Sequence, residues 1–258
     1  MSKLLAIDGL NIVRRIYEAN AEEEDPVLKV TTALRHSLSS IHRLLDTIQP
    51  THVLAAFDAG GQTWRHDLFP QYRAHRAPMP PLLREHLPQL FSDLAALGLS
   101  VLSIAQVEAD DVIATAVMRW LNEARGEAVI ASTDKDLHVL IAHGALVWDH
   151  FKHEWHDRAW VLNKFGVEPD KLADLLALMG DATDGIPGVS KVGGKTAARL
   201  LNAYGNLEGV IAGAGILINP LGARLRNEAK MARLSRQLVD LKTDVALGVT
   251  WNGLALRR

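Results

Sequence analysis

Carboxylates stand just past the apolar runs of this chain. Asp8 follows LLAI (4–7), Asp58 follows VLAAF (53–57), and Asp134 with Asp136 follows AVIAST. Glu108, Asp110 and Asp111 open the stretch VEADDVIATAVMRWL, and Asp181 and Asp184 sit in GDATDGIPG. Taken singly, acids at a helix start complement its dipole, and acids in a Gly-rich loop form Asx turns. Nine carboxylates in five segments exceed those needs. Like charges gathered in one cleft are costly unless cations neutralise them. Hard divalent cations prefer oxygen ligands, which implies Mg²⁺ or Mn²⁺ rather than zinc. A pair of such ions about 3.5–4 Å apart can activate water and stabilise a leaving oxygen in phosphodiester hydrolysis.

Such convergence needs a scaffold that brings strand ends to one edge. Residues 4–7, 53–57, 99–102, 128–131 and 145–148 have the composition of buried strands, while 30–48, 82–97 and 109–124 have helical apolar spacing. Alternation of this kind predicts an α/β fold, a mostly parallel sheet flanked by helices. In an open parallel sheet the carboxyl ends share the edge where ligands bind. Glu108 and Asp111, three apart, can share a helix face. Residues 171–236 carry no convincing strand and predict a smaller helical part.

At 258 residues with 48% apolar and 22% charged residues, the chain can bury a sizeable core. It has no Cys, which excludes disulfides and thiolate metal sites and suits the cytoplasm. Only four apolar residues precede Asp8, too few for a signal peptide, and no stretch approaches a membrane span. The net charge of −2 speaks against a nucleic-acid partner until the nine acids are set aside; the 28 Lys and Arg then outnumber the remaining acids.

GVSKVGGKTAARLL (188–201) raises the question of a phosphate-binding loop. A P-loop needs a glycine six residues before its lysine and a strand in front. Val189 stands six before Lys195, and the preceding segment is helical and then acidic, so that reading fails. What remains is Gly188, Gly193 and Gly194 in a short hairpin, with Lys195 and Thr196 opening a helix whose amides suit a nucleic-acid backbone. A phosphatase of the haloacid-dehalogenase type would need a second Asp at position 10, where Leu10 stands. The Pro-rich and basic segment 64–90 is too long for a tight loop and is expected to be a functional excursion.

AIDGLN, AFDAGGQTWRHDLFPQYRAHR, VEADDVIATA, STDKDL and GDATDGIPGVSKVGGKTA resemble, in order and spacing, the prokaryotic 5′-3′ exonuclease and flap endonuclease family. The resemblance spans about residues 4–240, and the stand-alone branch is the nearer match. It implies a PIN-like catalytic domain over 1–170 with a helical arch at about 64–90. A helix-hairpin-helix subdomain at 171–240 and a tail at 241–258 returning to the main domain would follow. It also implies that Asp8, Asp58, Glu108, Asp110, Asp111, Asp134 and Asp136 bind metal, with Asp181 and Asp184 completing a second site. K⁺ would be held by the carbonyls of Leu178, Met179, Pro187, Val189 and Val192. Lys191, Val192, Gly193, Gly194, Lys195 and Thr196 would contact DNA. Arg76 matches the family's arginine near the scissile phosphate. Arg73 replaces its usual lysine, a change of shape and hydration, and Gly194 stands where proline is common. The implied activity is a metal-dependent 5′ nuclease acting as a monomer on 5′ flaps and single-strand/duplex junctions in replication and repair. The alternative is a DNA-junction binding protein with weak or no catalysis.

Overall fold

The computed structural model describes residues 2–123 and 125–256. Each apolar run becomes a strand: β1 (Lys3–Asp8), β2 (His52–Ala56), β3 (Ser100–Leu102), β4 (Glu127–Ala131) and β5 (Leu146–Asp149). The sheet order is β3-β2-β1-β4-β5-β6, parallel except for β6 (Glu154–His156), which returns antiparallel beside β5. The apolar pattern misses β6 because Glu154 and Trp155 are exposed and its single buried residue is His156.

Helices make the crossovers. α1 (Gly9–Ala19) and α2 (Pro26–Ile48) join β1 to β2; α3 (Trp64–Leu68) and α4 (Pro81–Ala96) join β2 to β3; α5 (Ala109–Asn122) joins β3 to β4. α2 starts four residues before its apolar spacing predicts. Asp25 caps it, accepting from the amides of Val27 and Leu28, and Pro26 takes the first helical position. Ala124, the end of the predicted 109–124 helix, lies outside the described residues, as do Met1, Arg257 and Arg258.

Strand alternation feeds two cores. Leu4 and Ala6 pack with α5 and the C-terminal helices, Leu5 and Ile7 pack with α1, α2 and α4, and all four are fully buried. Beyond α6 (Arg158–Phe165) come α7 (Leu172–Met179), α8 (Gly194–Tyr204), α9 (Leu207–Gly213), α10 (Pro220–Asn227) and α11 (Ala229–Val239). Leu175, Leu201 and Leu238 of these helices join the same core as the α5 face of the sheet. The chain then returns through α12 (Trp251–Leu254), and the Leu256 amide donates to the Thr51 carbonyl at 2.9 Å. Among the described residues no helix is long and apolar enough to cross a membrane.

The 64–90 segment lies against the body at both ends. Arg65 and Tyr72 are buried, Leu83, Leu87 and Leu90 pack into the α2 side of the core, and 74–78 is the exposed stretch.

Candidate active site

β1 is the point where the strand order reverses, with β2 and β3 on one side and β4 on the other. A crevice opens at such a switch point beyond the carboxyl ends. Asp8 ends β1, Asp134 lies three residues past β4, Asp58 two past β2, and Asp110 occupies the first turn of α5. With Glu108 they line one cleft of about 970 Å³. Asp8 caps α1, accepting from the Asn11 amide at 3.1 Å, and accepts from Ser132 Oγ at 2.9 Å. Asp58 accepts from the Ala109 amide at 2.7 Å, and Asp134 from the Asp136 amide at 3.0 Å. The Asn11 side chain accepts from the amide and hydroxyl of Thr133, joining α1 to the loop after β4.

Crowding governs the charge of this cleft. Burial, then Asp134, pushes Asp8 up to about 7 and does the same to Asp136. Burial also raises Asp58, and burial together with Asp134, Asp8 and Asp58 raises Asp110 well above the carboxylate range. The folded protein therefore binds these protons more tightly than the unfolded chain. The stabilisation is complete below the unfolded value of 3.8 and is lost as pH rises through about 7. In EDTA, the melting temperature is expected to fall between about pH 5 and about pH 8, and millimolar Mg²⁺ to restore more of it at the higher pH. Thermal melts at the two pH values check this; a flat EDTA profile would contradict it.

Asp111 does not join the cleft. Arg65 holds it bidentately, Nη1 to Oδ2 at 2.9 Å and Nη2 to Oδ1 at 3.0 Å. Trp64 Nε1 donates to Oδ2 at 2.8 Å and the Lys242 amide to Oδ1 at 2.9 Å. Its side chain is fully buried. These four donors fill the acceptor capacity of a carboxylate, so the metal-ligand expectation for Asp111 gives way to a structural role. Glu108 does share the Asp111 face, because Arg65 Nη1 also lies 3.4 Å from Glu108 Oε1. Glu108 further accepts from Thr63 Oγ1 at 2.8 Å and Tyr72 Oη at 3.0 Å, and pairs with Arg73 at 2.9 Å.

Asp136, Asp181 and Asp184 form a second group beside the cleft. Lys135 pairs with Asp181 and stands 3.6 Å from Asp136. Burial opposes ionisation of Asp181, but the Lys135 ammonium outweighs it and holds that carboxyl below its usual range. Arg73 Nη2 donates to Asp184 at 3.0 Å, and the Arg73 amide donates to the Asp184 carbonyl at 2.8 Å, fixing Arg73 at φ 54°. Arg76, more exposed, lies 3.9 Å from Asp184 and lines the acidic cleft. Nothing in the sequence singled out Thr63, Tyr72 or Lys135, and only the basic character of 64–90 hinted at Arg65.

The 178–196 hairpin is a close crossing of backbones. The Val189 amide donates to the Leu178 carbonyl at 2.9 Å, the Val192 amide to the Val189 carbonyl at 3.1 Å, and the Gly188 amide to Ser235 Oγ at 3.0 Å. A Cβ at Gly188 (φ 64°) would stand 2.5 Å from the Gly180 nitrogen and 2.7 Å from the Met179 carbonyl carbon; one at Gly180 would meet the Pro187 carbonyl oxygen at 2.8 Å. Gly188→Ala is expected to destabilise the fold by roughly 2 kcal/mol or more, measured by urea denaturation, because neither φ nor space admits a side chain. Lys191, Gly193 and Lys195 are exposed on the same turn, Gly194 and Thr196 are half-buried, and Val192 is buried. α8 begins without a side-chain cap.

Residues 3–166 match the family model of the 5′-3′ exonuclease N-terminal resolvase-like domain, and 167–258 that of its C-terminal SAM fold. The chain is 38% identical over 249 residues to flap endonuclease Xni of Shewanella baltica, covering 96% of this chain and 93% of that one. T5 5′-exonuclease with bound zinc ions superposes with a TM-score of 0.79 at 21% identity, over 93% of this chain and 90% of that one. The bacteriophage T5 flap endonuclease, in a pseudo-enzyme-product complex with DNA and metal ions, does so with a TM-score of 0.75 at 21% identity over the same shares. The phage structures share the fold, and the matches to both family models and to the Shewanella enzyme mean that the chain belongs to the 5′-3′ exonuclease family.

Proposed function

We propose that this chain is a divalent-metal-dependent, structure-selective DNA 5′ nuclease, a flap endonuclease or 5′-3′ exonuclease that hydrolyses phosphodiesters near single-strand/duplex junctions. The observation that carries this reading is the delivery of Asp8, Asp58 and Asp134 from three strand ends, and of Asp110 from the first turn of α5, into one cleft. The donor set fits Mg²⁺ or Mn²⁺, being all oxygen and strongly repulsive without a cation. Among the described residues no group of three or more acidic, His or Cys side chains is a ready-made metal cage. Mg²⁺ completes its shell with water and substrate phosphates, so only one or two carboxylates of each acidic group would touch an ion directly and the others would act through bound water.

Asp8, Asp58, Asp110 and Asp134 would hold one ion with Glu108 beside them, and Asp136, Asp181 and Asp184 a second. When bound, the two ions supply water activation and neutralise charge on the leaving oxygen. Arg73 and Arg76 would orient the phosphate from the rim. The exposed turn Lys191–Thr196 and the uncapped start of α8 would grip the duplex backbone without reading sequence. The carbonyls of Leu178, Met179, Pro187, Val189 and Val192 would hold K⁺ at the backbone crossing. The protein would act as a cytoplasmic monomer on replication and repair intermediates. The names of the Shewanella relative and of the phage complex support this assignment.

An end-labelled 5′-flap duplex incubated in Mg²⁺, Mn²⁺ and EDTA tests it. Metal-dependent cutting near the junction is the expected result. Binding without cutting in either metal would favour a junction-binding protein instead, a reading to which the Arg73 pairs with Glu108 and Asp184 lend weight.

A further inference from the structure

α1, α2 and the turn between β5 and β6 enclose a second cavity of about 760 Å³, which shares Arg15 with the acidic cleft. α2 contributes His36, Ser40 and Arg43, a stripe at i, i+4 and i+7 on one helix face. The turn contributes His150 and His153, and among the described residues no Asp or Glu lines the cavity. The floor is buried: Ser40 is 3% exposed, His150 is 8% exposed, and Ser40 Oγ lies 2.5 Å from His150 Nε2. His150 Nδ1 is buried with no hydrogen-bond partner. An orphaned buried nitrogen is costly unless a ligand or water completes it.

Four carboxylates of the flanking segments are already engaged. Glu18 pairs with Arg14, Glu23 accepts from the Asp25 amide, Asp25 caps α2, and Asp149 accepts from the amides of Phe151 and Lys152. Among the described residues His36 and Arg43 make no side-chain hydrogen bond or ion pair. Arg15 donates to Thr133 Oγ1 at 2.7 Å, and its guanidinium stands 4.9 Å from the centre of the half-exposed Phe151 ring. Thr133 lies between Ser132, which holds Asp8, and Asp134. A cationic pocket thus begins where the acidic cluster ends.

We propose that this cavity is a phosphate site for the nucleic-acid strand, taking an oxyanion one or more nucleotides beyond the scissile bond. Arg15 passes the backbone from the cleft to Arg43, His36 and His150, and the Phe151 ring offers a base a stacking face. The inference rests on the nuclease reading. The oxyanion is either an internal phosphodiester or a terminal phosphomonoester.

The test uses Arg43→Ala, His36→Ala and the double variant of the full chain on a 5′-flap duplex whose flap ends in phosphate or in hydroxyl. Both residues are exposed on α2, so the melting temperature should not move. For the double variant, KM and the Kd in EDTA are expected to rise roughly five- to ten-fold with kcat within about two-fold, and the slope of log Kd on log salt to shrink by about one. A loss seen only with the 5′-phosphate identifies the phosphomonoester; a loss with both ends identifies a phosphodiester. Unchanged KM and salt slope, with wild type still binding the flap, overturn the pocket alone. Wild type that neither binds nor cuts overturns the nuclease reading and the pocket with it.

Discussion

Asp110→Asn lowers kcat/KM on a 5′-flap duplex by about 10³-fold or more in Mg²⁺, equivalent to roughly 4 kcal/mol of lost transition-state stabilisation. Binding to the same duplex in EDTA stays within about two-fold, since no DNA-contacting cation is removed. The reason lies in the crowding: Asp110 is half-buried and faces Asp134, Asp8 and Asp58, and this desolvation and repulsion raise its carboxyl well above the usual range, so a cation beside it favours its ionised form. An amide of the same shape leaves the packing intact and removes one negative charge from the set. It should also raise the melting temperature of the metal-free protein at pH 8, because the like-charge repulsion is gone. Single-turnover cleavage, equilibrium binding in EDTA and a thermal melt together decide the matter. Cleavage within ten-fold of wild type would remove Asp110 from the metal site.

Arg65→Met is expected to destabilise the fold by about 3–5 kcal/mol, the usual effect of stranding a buried charge. That corresponds to a melting temperature lower by roughly 10 °C. Arg65 is 3% exposed and binds Asp111 with both terminal nitrogens. It also donates to the carbonyls of Leu238 at 2.9 Å and Asp240 at 2.8 Å, tying the base of the 64–90 segment to the end of α11. Its loss leaves a fully buried carboxylate with two hydrogen bonds and frees the carbonyls at the α11 end. Urea denaturation measures the effect, and Arg65→Met combined with Asp111→Leu should recover part of it, because an apolar pair leaves no unpaired charge. Equal stability of wild type and Arg65→Met would refute the structural role assigned to the pair.

The two variants divide neighbours in sequence. Asp110 and Asp111 are adjacent, yet consecutive helical residues point about 100° apart. Glu108 and Asp111 do share a face, but that face looks toward Arg65 and the protein interior. Asp110, one step round, meets the cleft. Nothing in the string ADD distinguishes the two acids, because the partner that claims Asp111 lies 46 positions earlier in the chain.

The sequence by itself determined the five parallel strands and the acids at their edge, but not β6. Apolar runs long enough for a buried strand and followed at once by carboxylates can satisfy both burial and charge only if the strands lie side by side and end at a common edge. The turn was legible at Gly188, whose positive φ lies where two backbones touch, whereas its close partner Gly180 carried no sequence signal of its own. Tertiary structure alone decided how the charges are apportioned. Arg65 against Asp111, Arg73 against Glu108 and Asp184, and Lys135 against Asp181 are pairings across the fold, set by which side chains the packing brings within reach. It also decided the cationic cavity at Arg15, whose residues come from three segments, each unremarkable alone. Apolar periodicity encodes where an element is buried; Coulomb partners depend on distances that exist only once the chain has folded.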